Sequence, residues 1–299
     1  MDLDALTTRF APSPTGLLHL GHAYAALIAY DLAKVKGGRF LLRIEDIDAG
    51  RCRPEFENAI FEDLVWLGLE WETPVRRQSE HLDLYREKLE ALKARGVVYP
   101  CFCTRKEIAE EIARMGSAPQ GPEGAPYPGT CRRLSADERE ARIASGEPHT
   151  LRLWVEAAAA ALDPHRPLTF TETGRGSRGE HGQVPADLFL FGDIVLGRKD
   201  VGVSYHLAVT VDDHLQGVTM VTRGEDLFPA THVQRLLQEL LGFSSPRYYH
   251  HPLIRHESGR KLAKRDKDET LKALRHKGAT ALDVRRHLGV TNPEGPQSS

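Results

Sequence analysis

Two histidines, His19 and His22, stand three residues apart at the end of the run R-F-A-P-S-P-T-G-L-L-H-L-G-H (residues 9–22). The prolines and the glycine of this run exclude a helix before the histidines, whereas a helix-forming pattern follows them. A helix N-terminus offers free N–H groups and a positive dipole end to phosphate. Gly21 lets backbone approach a ligand, and two imidazoles could stabilise an α-phosphate as its charge rises. This H-x-G-H turn therefore predicts adenylate chemistry on ATP; an ordinary polar helix cap is the alternative.

A second set of groups suited to phosphate lies near the other end of the sequence. The pentapeptide K-L-A-K-R spans residues 261–265 and follows the turn signal Ser258-Gly259. Lys261 and Lys264 could reach the β- and γ-phosphates of ATP and stabilise the leaving pyrophosphate. Alone, such a segment is typical of a solvated surface; together with the H-x-G-H turn, it predicts an ATP site.

Three of the four cysteines have a spacing that suits a metal. Cys101 and Cys103 form a C-x-C pair, and Cys131 follows 28 residues later. Three thiolates are one short of the set that a closed zinc site needs. The fourth ligand could be Tyr127 or His149, and general ligand chemistry favours the imidazole; the alternative is a set of unrelated reduced cysteines.

Charged side chains that could select an amino acid occur near predicted strand ends, where open α/β sheets bind ligands. Arg9 and Arg223 each offer a fork that binds a carboxylate bidentately. Glu45 is the natural partner for an ammonium group, and the Tyr205 hydroxyl could cap the substrate. The alternatives are surface ion pairs and, for Tyr205, a core aromatic.

These candidates need a scaffold, and the order of elements predicts an α/β fold: a doubly wound, parallel, Rossmann-type sheet. The pattern predicts a strand over 39–45 and helices over 54–67, 79–95, 135–145 and 231–241, with strands over 187–196, 203–213 and 217–226. A zinc-bearing insertion interrupts the sheet. We expect a first catalytic half over 1–99, an inserted zinc-binding and acceptor subdomain over 100–184, a second half over 185–242, and a lysine-loop and short helical C-terminal region over 243–299.

Composition limits the classes of function. The chain has 299 residues, is 40% hydrophobic and carries a net charge of only −2, which is unusual for a protein that merely coats nucleic acid. Residues 255–286 hold eleven Lys/Arg against five Asp/Glu, which predicts either a face for a phosphate backbone or a charged helix pair. No run of eighteen apolar residues occurs and residues 1–6 hold two aspartates, so we expect a cytoplasmic protein without membrane contact.

The 9–22 run and the K-L-A-K-R segment together resemble the two signatures of class I aminoacyl-tRNA synthetases, in their glutamyl and glutaminyl branch. Ala263 stands where that family usually has Ser, whereas Lys264 matches the lysine that acts on ATP. The resemblance implies catalytic roles for His19, His22 and Lys264, and use of ATP with Mg²⁺. It also implies a zinc site in which Tyr127 completes the ligand set. The positions implied to contact glutamate are Arg9, Ala11, Ser13, Glu45, Tyr205 and Arg223.

The resemblance covers roughly residues 7–290, and only 34 residues follow Arg265. A helical domain that reads the anticodon would not fit there, so the sequence is most similar to the truncated paralogues of the glutamyl branch. That similarity implies a monomer that activates L-glutamate with ATP without tRNA and transfers it to the queuosine base in the anticodon stem-loop of tRNA(Asp). The alternatives are an enzyme that charges the 3′ end of tRNA(Glu), a small-molecule nucleotidyltransferase and a non-catalytic tRNA-binding module.

Overall fold

The computed structural model describes residues 6–35, 37–114, 121–122, 124–199, 202–254 and 269–290. The strands within these ranges are β1 (Thr7–Phe10), β2 (Arg39–Ile44), β3 (Arg76–Arg77), β4 (Val98–Cys101), β5 (Thr150–Leu153), β6 (Thr169–Glu172), β7 (Gly182–Pro185), β8 (Val195–Gly197), β9 (Met220–Gly224) and β10 (Arg247–His251). The helices are α1 (Leu20–Val35), α2 (Pro54–Trp66), α3 (Leu82–Ala94), α4 (Arg105–Arg114), α5 (Ala136–Ala144), α6 (Val155–Ala160), α7 (Tyr205–Leu215), α8 (Phe228–Leu241), α9 (Leu271–His276) and α10 (Ala281–His287). None of these helices is long and apolar enough to cross a membrane.

Parallel strands from both halves of the chain meet in the middle of the fold. Strand β2 pairs in parallel with β1 and β3, and β10 pairs in parallel with β9 and β6. Strands β1 and β9 lie side by side, and the Thr219 N–H donates to Thr7 O at 3.0 Å. The structure therefore contains two parallel groups of strands, β3-β2-β1 and β9-β10-β6, which are adjacent at β1 and β9, with β7 antiparallel beside β6. This arrangement confirms the predicted parallel α/β sheet. Ligand sites of such sheets lie at the carboxyl ends of the strands where the order reverses, here between β1 and β9.

A second, antiparallel sheet of order β4-β5-β8 lies between the two halves in sequence. Strand β4 ends at Cys101, and a small core of Tyr99, Cys101, Phe102, Tyr127 and Cys131 packs beside it. Strand β6 pairs in parallel with β10, and β7 pairs antiparallel with β6 before the chain reaches β8.

Two predicted strands are wrong. Residues 203–213 form most of helix α7, whose first turn is capped by Ser204 Oγ accepting from the Leu207 N–H at 3.5 Å. Eight consecutive residues of α7, His206 to Asp213, are buried, and a helical segment buried on all sides has no polar face to reveal its period. Within 187–196 only the end is extended, as β8.

The predicted short helical C-terminal region is present as α9 and α10. Leu271 and Val284 enter the same core as α1, and Arg285 binds Asp31 of α1 with two hydrogen bonds of 2.8 and 3.0 Å. These contacts hold the residues that follow the K-L-A-K-R segment against the first half of the sheet.

Candidate active site

The loop between β1 and α1 carries two of the predicted substrate positions. Ala11 and Ser13 are half-buried in it, and Pro12 O accepts the Glu45 N–H at 3.1 Å. That hydrogen bond fixes the loop to the end of β2. Both residues therefore lie at the edge of the sheet where a ligand is expected.

His19 immediately precedes α1 and His22 lies in its first turn, as the H-x-G-H pattern predicted. Their ring centroids are 3.9 Å apart. His22 Nδ1 accepts from the His19 N–H at 3.2 Å, and His19 Nδ1 accepts from the Gly21 N–H at 3.1 Å. Because both Nδ1 atoms are acceptors, the neutral rings carry their proton on Nε2, where it is a donor. A Cβ at Gly21 would lie only 3.0 Å from His19 Cε1, so this glycine permits the arrangement.

Arg9 and Glu45 belong to one buried ionic network. Arg9 Nε lies 3.0 Å from Asp213 Oδ1, and its terminal nitrogens donate to Asp213 Oδ2 and to Thr222 O. Arg43, which is 0% exposed, lies 2.8 Å from Asp213 Oδ1 and 3.2 Å from Glu45 Oε1. Burial raises the pKa of Glu45 while Arg43 and Arg9 oppose it. Burial alone would also raise the pKa of Asp213, but Arg9 and Arg43 outweigh it and lower that pKa.

Sequence reasoning missed the centre of this network, which is Arg43, Asp212 and Asp213. Asp212 accepts from Arg76 Nε at 2.7 Å and from the Tyr85 hydroxyl at 2.8 Å. An arginine inside the apolar strand R-F-L-L-R-I and two aspartates inside an apolar helix were the available signals, because buried charges need partners.

Arg223 has a different environment from Arg9. It donates from Nε to His250 Nε2 at 3.0 Å, from one terminal nitrogen to Gln234 Oε1 at 2.9 Å and from the other to Thr231 Oγ1 at 2.7 Å. All three acceptors are uncharged when His250 is neutral. Among the described residues no carboxylate forms an ion pair with Arg223, although its side chain is buried. Its charge is therefore not compensated by a direct ion pair within that part of the chain.

Tyr205, at the start of α7, faces the same charged groups. Although Tyr205 is 38% exposed, partial desolvation and, after it, the Glu45 carboxylate raise its pKa, whereas Arg223 and Arg9 act in the opposite direction. The structure thus brings Arg9, Glu45, Tyr205 and Arg223 together from four separate elements. Lys261 and Lys264, with Ala263 between them, lie outside the described residues.

The three predicted cysteine ligands converge. The sulfur atoms of Cys101, Cys103 and Cys131 all lie within 4.8 Å of one another. Cys103 Sγ is 3.4 Å from Cys131 Sγ and 3.3 Å from the Tyr127 hydroxyl, which also accepts the Cys131 N–H at 2.9 Å. His149, the other candidate, instead has Nδ1 3.0 Å from Glu147 O.

This donor set fits a tetrahedral metal ion. Zinc with four ligands at about 2.0–2.3 Å holds neighbouring donor atoms about 3.3–3.8 Å apart, and the distances from Cys103 Sγ to Cys131 Sγ and to the Tyr127 hydroxyl agree with that spacing. The hydrogen bond between the Cys101 and Cys131 thiols raises the pKa of Cys131 and lowers that of Cys101, and the Tyr127 hydroxyl and Arg152 also lower the pKa of Cys101 against burial. A sulfur so placed favours the thiolate that a metal requires.

A cleft of about 670 Å³ separates the cysteine cluster from the start of α7. Cys103 and Tyr127 contribute to its lining, and so do Tyr205 and His206. Its cationic residues are Arg105, Arg152, Arg198 and Lys199. A cavity of this size with cationic walls suits an anionic or nucleoside-containing ligand.

Comparison with known proteins identifies the family of this chain. Residues 5–291 match the family model of class I tRNA synthetases (E and Q), catalytic domain. The chain is 49% identical to a glutamyl-Q tRNA(Asp) synthetase of Rhodobacter capsulatus, over 95% of this chain and 100% of the relative. It is 40% identical to a glutamate–tRNA ligase of Aquifex aeolicus, over 92% of this chain and 55% of that enzyme.

A solved structure extends the likeness to three dimensions. The glutamate-tRNA synthetase of Elizabethkingia anophelis superimposes with a TM-score of 0.74 at 31% identity, over 89% of this chain. This chain spans 54% of the length of that structure. The match to the family model covers nearly the whole sequence, so the chain belongs to the class I tRNA synthetases of the glutamate and glutamine branch.

Proposed function

We propose that this chain activates L-glutamate with ATP, as glutamyl-adenylate and without tRNA, and then transfers the glutamyl group to the queuosine base of tRNA(Asp). The observation that carries this proposal is the match to the Rhodobacter glutamyl-Q tRNA(Asp) synthetase, which runs through 100% of that relative at 49% identity. The matched share of the Aquifex glutamate–tRNA ligase is 55%. The activity is therefore that of an ATP-dependent ligase.

The ionic cluster at the switch point supports glutamate as the amino acid. The side-chain carboxylate binds Arg223, whose charge has no direct ion-pair partner among the described residues, and the α-ammonium binds Glu45. The Tyr205 hydroxyl caps the substrate. Arg9, which also pairs with Asp213, completes the glutamate contacts together with Ala11 and Ser13.

Activation is an in-line displacement. An oxygen of the glutamate α-carboxylate attacks the α-phosphorus of ATP, and the bond from that phosphorus to the pyrophosphate oxygen breaks. His19 and His22 donate Nε2–H to the α-phosphate oxygens, and Gly21 lets the nucleotide approach the start of α1. From their positions in the sequence alone, Lys261 and Lys264 are assigned to the β- and γ-phosphates. Bound Mg²⁺ supplies further neutralisation of the pyrophosphate charge.

The cleft beside Tyr205 suits the RNA acceptor. A hydroxyl of the queuosine ring attacks the acyl carbon of the adenylate, and AMP leaves. Arg105, Arg152 and Lys199 line the cleft, and in this proposal they contact the phosphates of the anticodon stem-loop.

We further propose that Cys101, Cys103, Tyr127 and Cys131 hold one structural Zn²⁺. The closeness of the three thiols and the phenol supports this assignment. Zinc would hold together the wall of the cleft that Cys103 and Tyr127 form. The zinc-binding acceptor subdomain would span 100–184, between catalytic halves at 1–99 and 185–242, with the lysine-loop region at 243–299; we propose that the enzyme acts as a monomer.

The proposal is tested by two reactions on the same preparation. Glutamate-dependent exchange of pyrophosphate into ATP, with and without bulk tRNA, reports activation. Transfer of labelled glutamate to tRNA(Asp) with queuosine, tRNA(Asp) without it and tRNA(Glu) reports the acceptor. Exchange without tRNA and label only on queuosine-containing tRNA(Asp) would support the proposal, whereas no exchange with any amino acid would contradict it.

A second candidate is charging of the 3′ end of tRNA(Glu), which the similarity to the Aquifex glutamate–tRNA ligase favours. Label on tRNA(Glu), with exchange that requires this tRNA, would select it. Exchange that depends on another carboxylic acid would instead indicate a nucleotidyltransferase.

A further inference from the structure

Three neighbouring strands contribute to a buried chain of hydrogen bonds that ends at Arg223. Glu172 closes β6, His250 lies on β10 and Arg223 lies on β9. His250 stands opposite Arg223 in the β9–β10 register, and Tyr248 stands opposite Glu172 in the β6–β10 register. The three side chains therefore meet at the carboxyl end of the sheet, and all are at most 5% exposed.

The direction of each hydrogen bond in this chain is fixed by its partners. Glu172 Oε1 accepts the backbone N–H groups of Gly174 and His250 at 2.8 and 3.0 Å. Glu172 Oε2 lies 2.5 Å from His250 Nδ1, and Arg223 Nε donates to His250 Nε2 at 3.0 Å. Arg223 is only a donor, so Nε2 must accept and the proton of the neutral ring must lie on Nδ1. Burial and Arg223 lower the pKa of His250, against the opposing Glu172 carboxylate, to about 4.

Arg223 is left with a defined set of donors. A guanidinium has five N–H groups, of which one goes to His250, one to Gln234 and one to Thr231. Within the described residues one N–H therefore remains on each terminal nitrogen. Two such groups match the two oxygens of one carboxylate. A neutral imidazole between Glu172 and Arg223 fixes the guanidinium without placing a carboxylate against it.

We infer that Glu172 and His250 are positioning residues for Arg223, which they orient and keep available for the side-chain carboxylate of the substrate. This inference rests on the proposed function, because it assigns the substrate carboxylate to Arg223. It also explains why the imidazole of His250 lies between the buried Glu172 carboxylate and Arg223.

Glu172→Gln is the sharpest test. It keeps the volume of the side chain and removes the carboxylate oxygen that accepts from His250 Nδ1 and so defines the His250 tautomer. The two backbone N–H groups hold an oxygen at the Oε1 position, so the new amide NH₂ faces His250 Nδ1. That nitrogen must then accept, the ring proton moves to Nε2, and Nε2–H opposes the Arg223 Nε–H. We expect the KM for glutamate in pyrophosphate exchange to rise about 10- to 100-fold, the range for losing hydrogen bonds to a charged group. The kcat at saturating glutamate should change less than about threefold.

Two further variants separate positioning from general damage. His250→Gln retains an amide oxygen for Arg223 and should recover part of the loss seen with His250→Leu. His232→Gln is the matched control, because His232 is also buried beside Phe170 and Phe228 but accepts from the Asp187 N–H. Its KM for glutamate should stay within twofold of the wild type.

A spectroscopic measurement on the wild type stands independently of any variant. The ¹⁵N chemical shifts of the His250 ring should report the Nδ1–H tautomer between about pH 6 and 8, and those of Glu172→Gln should report Nε2–H. Wild-type His250 in the Nε2–H form, or a folded Glu172→Gln protein with an unchanged KM, would overturn the inference. Absence of glutamate-dependent exchange in the wild type would instead contradict the proposed function, and the tautomer would still be measurable.

Discussion

Asp213 bridges two buried arginines: its Oδ1 lies 3.0 Å from Arg9 Nε and 2.8 Å from an Arg43 terminal nitrogen. The same Arg43 contacts Glu45 at 3.2 Å. Asp213 thus joins the end of β1 to the end of β2, the two strands that carry the proposed Arg9 and Glu45 positions. It neutralises Arg9, which separates the role of that arginine from the role of Arg223.

We expect Asp213→Asn to lower stability and to raise the KM for glutamate. The loss of the charge leaves Arg9 and Arg43 partly unpaired, and breaking a buried pair costs about 3 kcal/mol or more. The folded pKa of Asp213 lies below its ordinary value, so the stabilisation is present above about pH 4 and is lost as pH falls through the lower folded value. Thermal melts from pH 3 to 7 should therefore show a Tm difference that shrinks at the acid end.

Asp83→Asn is the control for that measurement, because Asp83 pairs with Arg86 on the surface with its own side chain 96% exposed. Its Tm should match the wild type at each pH. A Tm difference for Asp213→Asn that stays constant with pH would show that the ionised carboxylate is not the source of the stabilisation.

Asp63 should make the stability of the protein depend on pH in the opposite sense to Asp213. It is 0% exposed, neither oxygen has a hydrogen-bond partner within the described residues, and Arg275 lies 3.4 Å away. Burial raises its pKa to about 6, with Arg275 opposing. The folded state thus holds the proton more tightly than the unfolded state, so ionisation costs stability as pH rises from about 4 through 6.

Asp63→Asn should therefore be more stable than the wild type above about pH 6, and the two should converge near pH 4. Urea unfolding at pH 4.5, 6 and 8 measures the difference in free energy of unfolding between the variant and the wild type. Glu62→Gln is the matched control, since Glu62 pairs with the same Arg275 but its side chain is 60% exposed, and it should show no such gain. A destabilised Asp63→Asn at pH 8 would mean that the ion pair with Arg275 outweighs burial.

His22→Asn tests the phosphate site. Removing one donor to a developing phosphate charge lowers kcat of pyrophosphate exchange, and losses of about 100-fold are typical. The KM for glutamate should stay within about twofold, because His22 lies at α1 and not among the side chains around Arg223. His165→Asn, at an exposed position, should leave both constants unchanged. A change confined to KM would contradict the assigned role.

Local signals explain why some of this site could be predicted from the sequence. The turn at His19 and His22 depends on a helix start and a glycine that are adjacent in the chain. Arg9, Glu45 and Arg223 each stand at the end of a strand, and the carboxyl ends of parallel strands converge. Such features can be predicted from the order of strands and helices along the chain.

The parts that sequence reasoning missed depend on burial and on distant partners. The sequence pattern predicts a strand at Asp213, because the segment of α7 around it is buried on all sides and shows no helical period. Arg43 and Glu172 are charged groups whose partners lie on other elements, so only the tertiary structure reveals why they are tolerated. His250 takes its tautomer from Glu172, 78 residues away in the chain.

The cysteine cluster leads to a prediction about metal content. We expect one zinc ion per chain in the purified protein and a marked loss of zinc in Cys103→Ser, because Cys103 Sγ lies 3.4 Å from Cys131 Sγ and 3.3 Å from the Tyr127 hydroxyl. Cys52→Ser is the control, since Cys52 does not belong to the cluster, and it should retain full zinc. Elemental analysis and Tm, each with and without a chelator, give the result.

The loss of zinc should lower Tm and weaken glutamate transfer to tRNA more than pyrophosphate exchange, because Cys103 and Tyr127 line the proposed acceptor cleft. A metal-free wild type that transfers glutamate at full rate would contradict the zinc assignment.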